Sequence, residues 1–240
     1  MDVDGTRREV WKLFDRIAGR YDFLNRLLSM RQDVAWRKKM ARYLPTGTEL
    51  NLLDLATGTG DQILFLLEAT DRIAKAVGID LSENMLALGQ KKVAKMNLGD
   101  KIALRTGDGA SLDFDDNSFD VATISFGIRN IPDYRKALRE MFRVVKPGGR
   151  ALILEFSLPS SAVIRKPYLF YFRHILPQVG STLSGDSMAY KYLNNTVEGF
   201  PHGEEFLKEM ATAGFTHLER HPLTFGIATI YVGVKEKAFH

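Results

Sequence analysis

The stretch Leu50-Asn51-Leu52-Leu53-Asp54-Leu55-Ala56-Thr57-Gly58-Thr59-Gly60-Asp61 decides the fold. An almost wholly apolar run over 50–56 breaks at a glycine-rich loop, and a helical pattern follows over 62–67. A continuous apolar run of that length reads as a strand covered on both faces. The same alternation repeats downstream. Strands are predicted over 76–80, 102–106, 119–125 and 151–156. Ser82-Glu83-Asn84 offers a helix N-cap, and a helix near 133–145 is closed by Lys146-Pro147-Gly148-Gly149. Strands alternating with helices imply a parallel sheet with helices on both faces. The end of the chain differs. Runs over 215–220 and 225–234, separated by His221-Pro222-Leu223-Thr224, predict a hairpin. The last strand is therefore expected antiparallel, at or near a sheet edge.

Upstream of the deciding stretch, Val10, Leu13, Phe14, Ile17 and Tyr21 form one apolar helical stripe within 6–28. Arg7, Arg8, Lys12, Arg16 and Arg20 lie mostly off it. A short helix near 33–44 carries Trp36, Met40, Tyr43 and Leu44 before Pro45-Thr46-Gly47 punctuates the chain. Residues 157–203 interrupt the alternation with four prolines and the aromatic run Tyr168-Leu169-Phe170-Tyr171-Phe172. They read as an insertion over the mouth of the sheet, where an apolar lid suits a greasy substrate. The expected organisation is one domain over 1–240: a helical segment (1–45), a core (46–156), the insertion (157–203) and a closing helix with hairpin (204–240).

The 240 residues are 45% hydrophobic and 26% charged, which excludes disorder and low complexity as global readings. No apolar run is long enough for a membrane span, and the acidic, polar start does not read as a signal peptide. The chain has no cysteine, so disulfides, thiolate metal sites and cysteine nucleophiles are excluded. The expected compartment is the cytoplasm. Residues 1–42 carry eleven Lys/Arg against six Asp/Glu, so the basic excess of the whole chain (+4) sits there. That segment could meet an anionic membrane surface, nucleic acid or an acidic substrate, or could simply be a solvated helix face. The five histidines are scattered, and His217/His221 fall in a strand and turn, so no metal site is expected.

Glycines directly after a strand let a ligand approach backbone N–H groups at a helix N-terminus. Asp54, Gly58, Thr59 and Gly60 belong to that loop. Asp80 closes the second strand twenty residues after Gly60, where a carboxylate can accept hydrogen bonds from both ribose hydroxyls. A dinucleotide site would show G-x-G-x-x-G. Here Ala56 stands at the first glycine, and Asp61 adds a carboxylate that repels a pyrophosphate but suits an ammonium group. S-adenosyl-L-methionine has an ammonium, a sulfonium and no phosphate. Asp108, in Gly107-Asp108-Gly109-Ala110, could accept from the adenine amino group. The competing reading of Asp80 and Asp108 is helix capping.

At these residues the chain resembles the class I S-adenosylmethionine-dependent methyltransferases. More narrowly it resembles the menaquinone/ubiquinone biosynthesis C-methyltransferases, the UbiE/COQ5 family. The narrower resemblance rests on Tyr21-Asp22-Phe23-Leu24-Asn25-Arg26-Leu27-Leu28-Ser29 with Trp36, and on Ile124-Ser125-Phe126-Gly127-Ile128-Arg129-Asn130. It rests also on Arg143-Val144-Val145-Lys146-Pro147-Gly148-Gly149 before Glu155-Phe156-Ser157, and on Leu176-Pro177, Gly180, Tyr190-Lys191-Tyr192-Leu193 and Phe200-Pro201. Leu24, Thr57, Asp33 and Ala151 depart from it, and Asp33 stands where the family usually has His.

The resemblance implies a single-domain, doubly wound, Rossmann-like α/β fold with a seven-stranded, mostly parallel sheet. It implies C-methylation of the ring of a polyprenylated quinol: demethylmenaquinol, or the methoxybenzoquinol precursor of ubiquinone. Cofactor contacts are implied at Thr59, at Asp80 on the ribose, at Asp108 with Gly109 on the adenine, and at Ser125 near the methionine end. For catalysis, Arg129 is expected to stabilise a phenolate with Asn130 orienting it, and His202 to transfer a proton. Transient contact with the inner face of a membrane is expected and nucleic acid is not; a homo-oligomer is left open. The competing functions are a small-molecule O-methyltransferase and a non-catalytic cofactor-binding partner subunit.

Overall fold

A computed structural model describes residues 12, 15, 18, 19, 22, 23, 25, 26, 29–175, 178 and 196–237. The helix expected over 6–28 lies mostly outside these residues; its described positions are helical. Helix α1 (Gln32–Lys39) continues as a tight turn, Met40–Tyr43, before the sheet begins. The order is then β1 (Leu50–Leu55), α2 (Asp61–Ala69), β2 (Ile73–Asp80), α3 (Glu83–Lys95), β3 (Ile102–Thr106) and β4 (Phe119–Ser125). It continues with α4 (Tyr134–Val144), β5 (Val145–Phe156), α5 (Ala162–Phe170), α6 (Glu204–Thr212), β6 (Thr216–Leu223) and β7 (Ala228–Val234).

The seven strands lie in the order β3-β2-β1-β4-β5-β7-β6. Strands β1 to β5 pair in parallel, and β7 pairs antiparallel with both β5 and β6. The hairpin is as predicted. Its final strand lies one place in from the edge, and its turn comes later, at Thr224–Gly226. The strands alternate faces. Leu52, Val121, Leu152 and Leu154 join Trp36, Met40, Ile63 and Leu66 in one core layer. Leu53, Leu55, Ile124 and Ile153 join Leu138, Met141, Phe206 and Met210 in the other. Because β1 lies between β2 and β4, successive crossovers leave it in opposite directions. The C-terminal ends of β1 and β4 therefore flank the crevice in which such sheets bind ligands.

Local chemistry sets the helix starts. Ser82 Oγ accepts from Met85 N at 3.2 Å, and Asp133 Oδ1 caps α4 through Lys136 N at 2.9 Å. The segment Lys146-Pro147-Gly148-Gly149 does not only end α4, as the sequence suggests. It forms a bulge within β5, which pairs Phe119 with Val145 and resumes at Val121 with Arg150. Two strand edges remain. β3 is five residues long, and β6 carries Pro222 and a register shift between Thr216 and Glu219. After β5, Ser157 N donates to Ile227 O at 2.9 Å and Ser157 Oγ to Gly226 O at 2.8 Å, which ties the start of 157–203 to the β6–β7 turn. Most of 176–195 lies outside the described residues. Among the described residues no helix is long and apolar enough to cross a membrane.

The bulge gives a direct test. A Cβ on Gly149 would lie 2.6 Å from the backbone oxygen of Asp120. Gly149→Ala should destabilise the protein by about 1–3 kcal/mol, the scale of a steric overlap in a packed region. The urea midpoint should fall with the denaturant slope unchanged; an unmoved midpoint would show that the bulge has room to spare.

Candidate active site

Three residues of the loop after β1 have left-handed backbone: Ala56 (φ 48°), Gly58 (φ 57°) and Gly60 (φ 78°). Such a turn needs anchors, and two carboxylates supply them. Asp80 Oδ2 accepts from Gly58 N at 2.8 Å and Oδ1 from Ser82 N at 2.9 Å. Asp54, fully buried, accepts from Thr57 Oγ1 at 2.7 Å and from Thr123 Oγ1 at 2.6 Å. Burial pushes the Asp54 carboxyl up to about 6, against the pull of its two hydroxyl donors and of Arg37. Burial likewise raises Asp80, and its backbone N–H donors counter it. Beyond β3, Asp108 Oδ1 accepts from Ala110 N at 2.8 Å. The turn-capping geometry at Asp80 and Asp108 is thus present, and each still borders the crevice at adjacent strand ends.

The N-terminal segment fastens onto this loop through charge. Thr59 Oγ1 donates to Asp22 Oδ1 at 2.8 Å. Lys92, from α3, reaches Asp22 Oδ2 at 2.5 Å, Asp61 Oδ1 at 2.6 Å and Thr59 Oγ1 at 2.8 Å. Arg26 pairs with both Asp33 and Asp61. Asp15 Oδ1 accepts from Ser82 Oγ at 2.6 Å. The ammonium that Asp61 receives in this structure is therefore Lys92's. Its lowered pKa reflects Lys92, Arg37 and Arg26 outweighing the opposing, and largest, effect of burial.

At the end of β4, Ser125 Oγ donates to Gln62 Oε1 at 2.7 Å. Phe126 has φ 59°, strained for a bulky residue. A Cβ on the following Gly127 would lie 2.7 Å from Ala56 Cβ, so the loop after β1 and the turn after β4 share a wall. Arg129 is buried. Its Nη1 donates to Phe126 O at 2.6 Å and to Glu155 Oε1 at 2.5 Å, and the guanidinium lies 5.3 Å from the Phe156 ring centre. Burial raises the Glu155 carboxyl, against the charge of Arg129. Among the described residues, Arg129 Nε, Asn130 Oδ1 and Glu155 Oε2 have no hydrogen-bond partner. The rings of Trp36, Phe126 and Phe156 lie 4.5–6.5 Å apart beside this pair.

Residues 1–235 match the model of the ubiE/COQ5 methyltransferase family. The chain belongs to that family. It is 44% identical over 230 residues to the Geotalea daltonii ubiquinone/menaquinone biosynthesis C-methyltransferase UbiE, covering 95% of this chain and 96% of that one. It is 40% identical to a demethylmenaquinone methyltransferase of Bacteroides fragilis, covering 97% and 95%. The fold matches a solved S-adenosylmethionine-dependent methyltransferase from Thermotoga maritima with a TM-score of 0.66, at 20% identity, over 94% of this chain and 99% of that one. The sheet is that of a class I methyltransferase.

Within this methyltransferase, Asp54, Gly58, Thr59, Gly60, Asp80 and Ser125 converge on one loop, with Asp108 and Gly109 at the next strand end. Asp54 has both carboxylate oxygens occupied by threonine hydroxyls, which makes it an anchor of the loop. Arg129 and Asn130 lie behind Gly127. The ion pair of Arg129 with Glu155 is buried. His202 stands apart, before α6. Its Nδ1 lies 3.4 Å from Phe200 O, and among the described residues no hydrogen bond or ion pair joins it to Arg129 or Asn130. His217 and His221 make edge-strand contacts with Glu236 and Glu219 at 3.0 and 2.9 Å.

Sequence reasoning did not single out Arg37, Gln62 or Lys92 for the site. Lys92 has no local signal, since only the packing of α3 brings it to the loop. Asp22 and Arg26 carried a signal, because both lie in the family-like stretch 21–29.

The buried Asp54 makes stability depend on pH. Its folded pKa lies above the unfolded value of 3.8, so the native state binds the proton more tightly and loses stability as pH rises from 3.8 to about 6. Asp54→Asn does not titrate. The stability advantage of wild type over Asp54→Asn should shrink by roughly 3 kcal/mol between about pH 3.5 and about pH 7, at ~1.4 kcal/mol per pH unit. Urea unfolding at several pH values measures it, and a gap independent of pH would refute the shift.

Proposed function

We propose that this chain transfers a methyl group from S-adenosyl-L-methionine to a ring carbon of a polyprenylated quinol. The observation that carries the reading is the shared wall at Ala56 and Gly127. It sets the buried Arg129–Glu155 pair and its three aromatic neighbours directly behind the loop that would hold the methyl donor. The strand ends support that donor: Asp80 closes β2, where a ribose would lie, and Asp108 stands just past β3, where an adenine would lie. When bound, the donor supplies an electrophilic methyl on sulfur.

This chain's residues must make the ring carbon nucleophilic. A phenol with a pKa near ~10 is mostly protonated at neutral pH, and losing that proton pushes electron density onto the ortho carbon. The new C–C bond forms as the S–C bond breaks, and the ring then sheds its C–H proton to recover aromaticity. Arg129 cannot be the base, because a guanidinium stays protonated. With Asn130 beside it, it stabilises the phenolate from a site shielded from water. Glu155 holds it in place and offsets part of its charge. His202 remains the proposed proton carrier only if the insertion brings substrate to it. The aromatic run at 168–172 serves the apolar tail: Tyr168 is half-buried and senses the charge of Arg129, while Phe170 is exposed.

Purified protein incubated with labelled S-adenosylmethionine and a panel of demethylated quinols should yield ring-methylated product by mass spectrometry. Methyl ethers instead would favour an O-methyltransferase, and no transfer would favour a partner subunit. Asp80→Ala should weaken S-adenosylhomocysteine by about 1.5–3 kcal/mol in calorimetry. Arg129→Met, made with Glu155→Gln so that no buried carboxylate is stranded, should leave that affinity nearly intact while turnover falls by roughly 100-fold. The deficit should shrink as pH approaches the phenol's own pKa; an equal loss at every pH would remove Arg129 from ring activation.

A further inference from the structure

Arg37 is 6% exposed and lies in α1, next to Trp36, whose Nε1 donates to Thr224 Oγ1 at 2.9 Å. It lines the small cavity at the loop after β1, together with Asp54, Thr57, Thr59, Asp61, Gln62 and Ser125. Among the described residues its Nε has no hydrogen-bond partner. The guanidinium lies 5.2 Å from the Phe126 ring centre, a contact that offsets only part of its desolvation.

The nearby carboxylates are already taken. Asp54 gives both oxygens to threonine hydroxyls, and Asp61 gives both to Lys92 and Arg26. A buried guanidinium nitrogen that lacks an acceptor among the described residues is costly and calls for an explanation. An anionic ligand group seated in the cavity supplies one.

The sheet order says which group. Asp80 and Asp108 stand at the ends of β2 and just past β3, on one side of β1, and Ser125 and Arg37 stand on the other, beside β4. A ligand whose adenosine lies over Asp80 and Asp108 extends its remaining half across the loop toward Arg37. In S-adenosylmethionine that half is an amino acid, and its only anion is the carboxylate. We propose that Arg37 is the carboxylate anchor of the donor site, holding the amino-acid end so that the sulfonium methyl faces the β4 wall. The proposal rests on the adenosyl donor argued above.

The test deletes each partner of the contact in turn. S-adenosylhomocysteine and its decarboxylated counterpart, the adenosine thioether ending in an aminopropyl chain, are titrated by calorimetry into wild type, Arg37→Met and Arg37→Lys. Wild type should prefer the carboxylate-bearing ligand by about 10- to 100-fold, the scale of a charge-assisted hydrogen bond. Arg37→Met should lose that preference while keeping its affinity for the decarboxylated ligand, and Arg37→Lys should restore part of it. A preference that survives in Arg37→Met overturns the proposal. So does an equal loss for both ligands, which would make Arg37 a packing residue. Should Arg37→Met not fold, wild type still decides: equal affinity for the two ligands overturns the anchor and leaves the adenosyl donor standing. Binding of neither ligand by wild type would overturn both.

Discussion

Everything at this site depends on a left-handed turn that must be held open against its own strain. Ala56, Gly58 and Gly60 adopt positive φ within five residues. The cost at Ala56, of order 1–2 kcal/mol for a residue with a Cβ, is borne because the strands on either side supply anchors: Asp80 from β2 and the Asp54–Thr123 pair from β1 and β4. The turn is therefore a property of three neighbouring strands, which is why it lies where the crossover direction reverses. Gly127 is bound into the same constraint, since any side chain there would press on Ala56.

A second layer is built on that turn from charge. The basic excess of the first 42 residues suggested a face turned to solvent or to an anionic partner. Arg26 and Arg37 instead point inward: Arg26 bridges Asp33 and Asp61, and Arg37 reaches the cavity beside the loop. Counting charges along a segment cannot reveal this, because the acidic partner Asp61 lies 35 residues away in sequence. Asp33, which stands where the resembled family usually has His, is one of these ionic ties, with Ser29 as its other partner at 2.7 Å.

The parallel core was legible because each strand is mostly apolar and each loop is punctuated. β3 and β4 fall where the apolar runs place them. The β5 bulge was not legible, since Pro-Gly-Gly after a helix reads as a stop, and only pairing with β4 and β7 recruits it into a strand. In the site, residues adjacent to strand ends could be read because topology gathers strand ends. Arg37, Gln62 and Lys92 could not, because their positions follow from how helices pack on the sheet. Arg129 lies just past β4, but its buried partner Glu155 comes from the next strand and left no local trace.

The two outer strands bear on how the molecule behaves in a crowded solution. An exposed strand edge is an open row of hydrogen-bonding groups that another chain can extend. β6 presents His217, Glu219, Arg220 and Pro222 on that row, with a bulge between Thr216 and Glu219 and with charges tied to Glu204 and Glu236. β3 is only five residues long and carries Arg105. Proline, bulge, charge and shortness each spoil the template, so neither outer strand offers a regular edge for an eighth strand. Growth of the sheet by strand addition is thus disfavoured at both of its sides.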